Sequence, residues 1–224
     1  MDSLHGLPEK YKNLTNLKND VLQRIKPGRH SYLDGETSPE KILVACSTNE
    51  VKGYSLQRWI DNVKEFTYPN LDYLVVDTSK TDAYIKNFKD QIPTKRIPYY
   101  DEKFRRMCES MEAIRLYTLK NGYDRLFCVE SDIIPPADIT ELMLSVGKDA
   151  DWVSHAFPLR NEDQNVEVEQ GIGCTLFSRK LLRGNSWAGG NASPDAYLWN
   201  LVRPSHKYKT LEMWGYTSVR HLGS

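Results

Sequence analysis

The chain has 224 residues, and 30 Lys and Arg balance 30 Asp and Glu, for a formal charge of zero. That excludes a protein whose main business is non-specific binding of nucleic acid, because such binding needs a net basic surface. No run approaches the ~18–20 apolar residues of a membrane span, and the opening Met1-Asp-Ser-Leu-His-Gly6 lacks the basic-then-apolar pattern of a secretory signal. Cys46, Cys108, Cys128 and Cys174 are scattered, three of them inside apolar runs. They read as small core residues in a reducing compartment rather than a disulfide framework or a zinc site, and cytoplasm is the expected address.

Residues 1–39 read as an N-terminal unit, an amphipathic helix followed by a linker. Tyr11, Leu14, Leu17, Val21, Leu22 and Ile25 recur at three and four, which makes one apolar stripe. Lys26-Pro-Gly28 ends it, and the turn formers up to Pro39 make the linker. The stripe must pack on something: the main domain, or a second copy of the chain in a homodimer.

Residues 40–224 read as one α/β domain. Lys41–Cys46 is a buried strand, and Ser47-Thr-Asn-Glu50 is a polar loop straight after it. Residues 55–66 predict a helix with Leu56, Trp59, Ile60 and Val63 on one face. Leu71–Asp77 is a second strand ending on an acid, and Thr81–Asp90 predicts a second helix. Strand–helix–strand–helix implies a mostly parallel sheet with helices on its faces. Residues 91–100 are a loop or edge segment pinned by two prolines. Asp101 suits an N-cap for a long helix to Lys120, with Phe104, Met107, Met111, Ile114 and Tyr117 inward, ended by Asn121-Gly122.

Leu126–Val129 has no polar residue, as in a strand covered on both faces. Glu130-Ser131-Asp132 follows abruptly, and Pro135-Pro136 stops further pairing. Residues 136–146 predict a helix and 151–157 a strand. Residues 158–170 are polar, acidic and aperiodic, and predict a mobile loop that could act as a lid. Gly171–Phe177 returns to a strand, Ser178 starts a short helix, and residues 187–193 are a turn. Pro194 opens a helix to Val202. A strand over Lys209–Met213 and a tail holding His221 close the chain.

Ligands of open α/β sheets collect at the carboxyl ends of strands. An acidic pair there is well placed to hold a divalent metal against a phosphate. The same pair also reads as ordinary acids near a helix N-terminus, where the helix dipole favours negative charge.

The order of these segments resembles the GT-A fold glycosyltransferases, in particular the large inverting family typified by bacterial polysaccharide synthases. The resemblance runs from residue 41 to the end. It is carried by Val44-Ala-Cys-Ser-Thr-Asn-Glu50, Leu74-Val-Val-Asp-Thr-Ser79, Glu130-Ser-Asp132, Gly171-Ile-Gly-Cys-Thr-Leu-Phe177, Asp195 and His221. It implies a Rossmann-like, mixed but mostly parallel sheet with helices on both faces, and an N-terminal helical extension outside the family pattern. It also implies metal-dependent transfer of a sugar from a nucleotide-diphosphate sugar, UDP-linked, to a hydroxyl acceptor with inversion.

The family pattern gives roles to matching positions. Asp132 is the implied metal ligand, with Glu130 standing where the family has Asp and serving as a ligand or a ribose contact. His221 completes the metal shell, and Asp195 is the general base. Thr48, Glu50, Asp77, Arg105 (or its neighbour Arg106), Ser131, Gly171 and Gly173 are the implied donor contacts. Hard oxygen ligands with an imidazole favour Mn2+ over Mg2+. Two other functions share such a fold. A sugar-phosphate nucleotidyltransferase needs a Gly-rich, basic loop after the first strand, and Ser47-Thr-Asn-Glu50 is not one. A non-catalytic nucleotide- or sugar-binding module would keep the cleft and lose turnover.

Overall fold

The computed structural model describes residues 38–158, 168–169, 171–213, 217 and 219–222. The helix expected over residues 8–25, its proposed dimer contact, and most of the loop expected over 158–170 lie outside them. Among the described residues the main sheet has seven strands. They are β1 (Ile42–Thr48), β2 (Leu71–Asp77), β3 (Thr94–Arg96), β4 (Arg125–Val129), β6 (Trp152–His155), β9 (Cys174–Ser178) and β10 (Thr210–Met213), in the order β10-β6-β9-β4-β1-β2-β3. Strand β9 runs antiparallel to both β4 and β6, and the other pairings are parallel. Two short ribbons complete the set: β5 (Ile133–Ile134) with β11 (Arg220–His221), and β7 (Phe157–Pro158) with β8 (Val168–Glu169).

Alternation along the strands builds a core on each face. Ile42, Val44 and Cys46 of β1 point to the layer of α1 (Leu56–Lys64) and α3 (Ile139–Gly147). Leu43 and Ala45 point to the layer of α2 (Lys103–Lys120), α4 (Arg179–Gly184) and α5 (Pro194–Val202). The expected mixed, mostly parallel sheet with helices on both faces is what the chain forms. All four cysteines are buried free thiols. No described helix is long and apolar enough to cross a membrane.

Three elements differ from expectation. Residues 81–90 hold only a 3-10 turn at Ile85–Asn87. Their apolar residues, Tyr84, Ile85 and Phe88, span little more than one turn, too short a stripe to stabilise a helix by packing. Helix α2 begins at Lys103, with Glu102 and not Asp101 at the cap position and no side-chain cap bond. Its buried face includes Met111 and Ile114 as expected but is wider than the expected stripe. Phe104 is 44% exposed, while Cys108, Ser110, Glu112 and Thr118 are buried. The cause is Glu112, which receives two nitrogens of Arg115 (2.7 and 2.8 Å), the Ser186 hydroxyl (3.0 Å) and the Trp187 amide (3.0 Å). A satisfied polar group can be buried where a bare one cannot. The third difference is the helix expected from residue 136, which starts at Ile139.

Candidate active site

The chain runs from β1 outward to β2 and β3, then crosses back to place β4 on the other side of β1. Strands β1 and β4 are parallel neighbours, so their following loops part and leave a crevice at this reversal point. The cleft has a volume of about 480 Å³. Thr48, Asn49 and Lys52 line it from the β1 side, and Glu130, Ser131 and Asp132 from the β4 side. Helix α2 closes a third side with Lys103, Arg106 and Met107, and Pro194 opens α5 on the same wall.

Local structure fixes the acids. The Glu130 amide donates to the Gly173 carbonyl (2.8 Å), and the Ile133 amide returns to the Glu130 carbonyl (2.9 Å). That tight turn sends the Asp132 side chain into the floor of the cleft, where the residue is 1% exposed. Its Oδ2 accepts from the Lys52 ammonium and from the Tyr54 hydroxyl (3.1 Å), and it faces His221 Nε2 at 3.3 Å. Burial alone would raise the Asp132 carboxyl. The bonds from His221 and Lys52 outweigh it and hold the group below its ordinary value.

His221 arrives through the β5–β11 ribbon, in which it pairs with Ile133, and the Leu222 amide donates to the Asp132 carbonyl (2.8 Å). The Phe157 ring stands edge-on to the imidazole at 5.9 Å. Lys52 is delivered by a 3-10 turn at Glu50–Lys52. Asn49 caps it by accepting the Val51 amide at 3.0 Å.

Among the described residues no group of three or more His, Cys, Asp or Glu is placed to hold a metal by protein ligands alone. The pair Asp132 and His221 nevertheless fits a cation whose other ligands come from outside the protein. Asp132 Oδ2 and His221 Nε2 lie 3.3 Å apart, close to the ~3 Å between adjacent ligands of an octahedral ion with bonds near 2.1 Å. Phosphate oxygens and water would complete such a shell.

The remaining expected residues divide. Thr48 is buried at the cleft wall with its hydroxyl 3.2 Å from that of Tyr84. Glu50 is exposed, and the Ser79 hydroxyl beside it lowers its carboxyl. Asp77 is not part of the cleft wall. Its Oδ1 accepts from the amide (3.1 Å) and hydroxyl (2.6 Å) of Ser79, and its Oδ2 faces Arg96 Nε at 3.3 Å. Burial raises this carboxyl despite those partners. Asp77 shapes the turn after β2, and the neighbouring Thr78 lines the cleft instead.

Arg105 turns away from the cleft. Its guanidinium lies 4.6 Å over the Tyr100 ring, beside a separate pocket that includes Phe104 and Gly189. Successive helix residues point about 100° apart, so Arg106 is the one that faces the cleft, anchored to the Tyr100 carbonyl at 2.5 Å. Gly173 serves packing. A Cβ at Gly173 would come within 2.7 Å of the Phe157 ring and 3.3 Å of the Glu130 carboxyl carbon. Gly171 gives its carbonyl to the Thr175 hydroxyl at 2.9 Å, and Ile172 between them lines the cleft.

Asp195 sits in the first turn of α5, directly after the cleft-lining Pro194. Burial, then the charges of Glu109 and Asp195, push the nearby Cys108 thiol up to about 11. Trp199 packs edge-on against Trp152 at 5.2 Å and belongs to the core. Sequence reasoning missed Lys52 and Tyr54. Their only signal is a lysine and a tyrosine shortly after the first strand's polar loop.

No protein-family model matches the sequence, and no curated protein does. Solved structures match its fold. The mannosyltransferase PcManGT from Pyrobaculum calidifontis, in complex with GDP-Man and Mn2+, superposes with a TM-score of 0.55 at 12% identity, over 94% of this chain and 65% of that one. S. aureus TarS 1–349 in complex with UDP gives 0.56 at 10% identity, over 82% and 61%. A Desulfovibrio desulfuricans G20 protein assigned as a nucleotide-diphospho-sugar transferase gives 0.50 at 14% identity, over 82% of both chains. This chain thus spans less than two thirds of PcManGT and of TarS 1–349. Sheet order, the helices on each face and these superpositions together identify the GT-A fold.

Proposed function

We propose that the chain is a metal-dependent glycosyltransferase. It moves a sugar from a nucleoside diphosphate donor, UDP-linked, to a hydroxyl acceptor with inversion. The observation that carries this reading is the buried Asp132 carboxylate beside His221, at the reversal point between β1 and β4. Solved structures of the same fold in complex with GDP-Man and Mn2+, or with UDP, support it.

Asp132 and His221 would hold the cation, Mn2+ rather than Mg2+, which when bound neutralises charge on the departing diphosphate. Lys103 and Arg106 on the opposite wall add positive charge to the cleft. Thr48 and Thr78 line the cleft at the ends of β1 and β2, where a nucleoside would lie. Asp195, on the α5 rim, takes the proton of the acceptor hydroxyl as its oxygen attacks the anomeric carbon. The bond from that carbon to the diphosphate breaks, and its electron pair leaves with the diphosphate. One displacement from the opposite side inverts the centre.

Incubation with Mn2+ and a panel of nucleotide sugars should give slow donor hydrolysis without an acceptor. Asp132→Ala should abolish both that hydrolysis and Mn2+-dependent UDP binding. UDP binding unchanged in the variant overturns the reading.

A further inference from the structure

We propose that Lys52 is a tethered cation that holds the metal's place on Asp132, so that its ammonium and a divalent ion exclude one another there. This rests on the reading of Asp132 and His221 as the metal site. The ammonium bonds the same carboxylate oxygen, Oδ2, that faces His221 Nε2. An ion taking one bond from Oδ2 and one from His221 would meet the ammonium at close range, and two positive charges on one oxygen repel.

Each partner is suited to the exchange. Asp132 is 1% exposed and cannot stand as a bare charge in that setting without cost. The Lys52 side chain is 32% exposed, on a four-carbon stem beside an open cleft. It can withdraw into the cleft when the ion enters, and there its charge faces the position of a diphosphate. Arg115 shows the contrasting case. Its guanidinium is 12% exposed, locked to both oxygens of Glu112 and to the Leu182 carbonyl at 2.8 Å, and it has no such freedom.

The test is Mn2+ affinity without nucleotide, read from the free-ion signal by electron paramagnetic resonance. Removing the competing charge in Lys52→Met should tighten Mn2+ binding by about tenfold or more, the scale of close charge–charge couplings. Lys52→Arg, which keeps the charge, should bind Mn2+ no more tightly than wild type. Tyr54→Phe removes a neutral donor and no charge from the same oxygen, and should change affinity less than Lys52→Met does. Equal or weaker Mn2+ binding by Lys52→Met overturns the proposal, as does Tyr54→Phe matching its gain, or no Mn2+ binding by any of the proteins. If Lys52→Met tightens Mn2+ but UDP binds no form of the protein, the glycosyltransferase reading falls and the exchange on Asp132 stands.

Discussion

Glu112 in the middle of α2 and Asp132 after β4 are both buried acids facing a basic side chain. Glu112 engages both oxygens. Arg115 lies one turn along the same helix, and Ser186 with the Trp187 amide brings in the segment after α4. The bidentate guanidinium is a geometric match that binds tightly and exchanges poorly. Asp132 instead gathers Lys52, Tyr54 and His221 on one oxygen, from two loops far apart in the chain. Its cation is a partly exposed primary amine beside an open cleft. Burial is common to the two acids; what differs is whether the counter-charge can leave. On the exchange proposed above, Glu112 is a structural joint and Asp132 a place for a ligand.

That contrast can be broken experimentally, and the largest effect on stability should come from the joint. Glu112→Ala strands the Arg115 guanidinium and unties the Trp187 amide, and should cost about 3 kcal/mol, read as a shift in the urea midpoint. Asp132→Ala should cost no more than about 1 kcal/mol, because the released Lys52 ammonium regains water. If the Asp132 variant proves the less stable of the two, the distinction between joint and ligand place is lost.

A smaller effect concerns pH. Burial pushes the Glu112 carboxyl up, but the bonds from Arg115 and Trp187 outweigh it and leave the group below its ordinary value. A lowered acid contributes stability that is fully present above the unfolded-state value of about 4.3 and is lost as pH falls through the folded value. Asp132 and Asp151 share this sign, and Asp77, raised by burial, has the opposite one. Replacing Glu112 by Gln should therefore flatten, without abolishing, the fall in stability below pH about 4.3. Denaturant titrations of both proteins at several acid pH values would show it, and an acid limb as steep as wild type would contradict it.

Legibility from sequence followed the same division between local and long-range causes. Strand β2 reads directly because an apolar run ends on an acid, and α5 because Pro194 sits at its first turn. Both signals are local. The buried face of α2 was legible only in part. Met111 and Ile114 lie inside as expected, but Glu112 is buried through the Ser186 hydroxyl and the Trp187 amide, which no local pattern shows. Ser110 and Thr118 satisfy their hydroxyls on the helix's own Met107 and Ile114 carbonyls. In the candidate site, Asp132 and His221 are singled out by residue type and order, and the fold brings them within 3.3 Å. Lys52 is not, because its significance lies in a contact 80 positions along the chain. Asp77 shows the converse. An acid at a strand end reads as a nucleotide contact by position alone; in the fold one of its oxygens accepts from Ser79, two residues on, and the other faces Arg96 of the adjacent strand.

The ribbon of β5 and β11 has a kinetic consequence. In backbone hydrogen bonding, two paired residues and the Leu222–Asp132 bond tie the segment of His221 to the rest of the site. So short a ladder opens far more readily than the seven-stranded sheet, at a free energy well below that of global unfolding. On the proposed metal site, His221 would ride on a latch whose opening would set how fast an ion can enter and leave. The Leu222 amide reports on that latch. Its hydrogen exchange should slow when the site fills, while amides in β1 and β4 keep their rates.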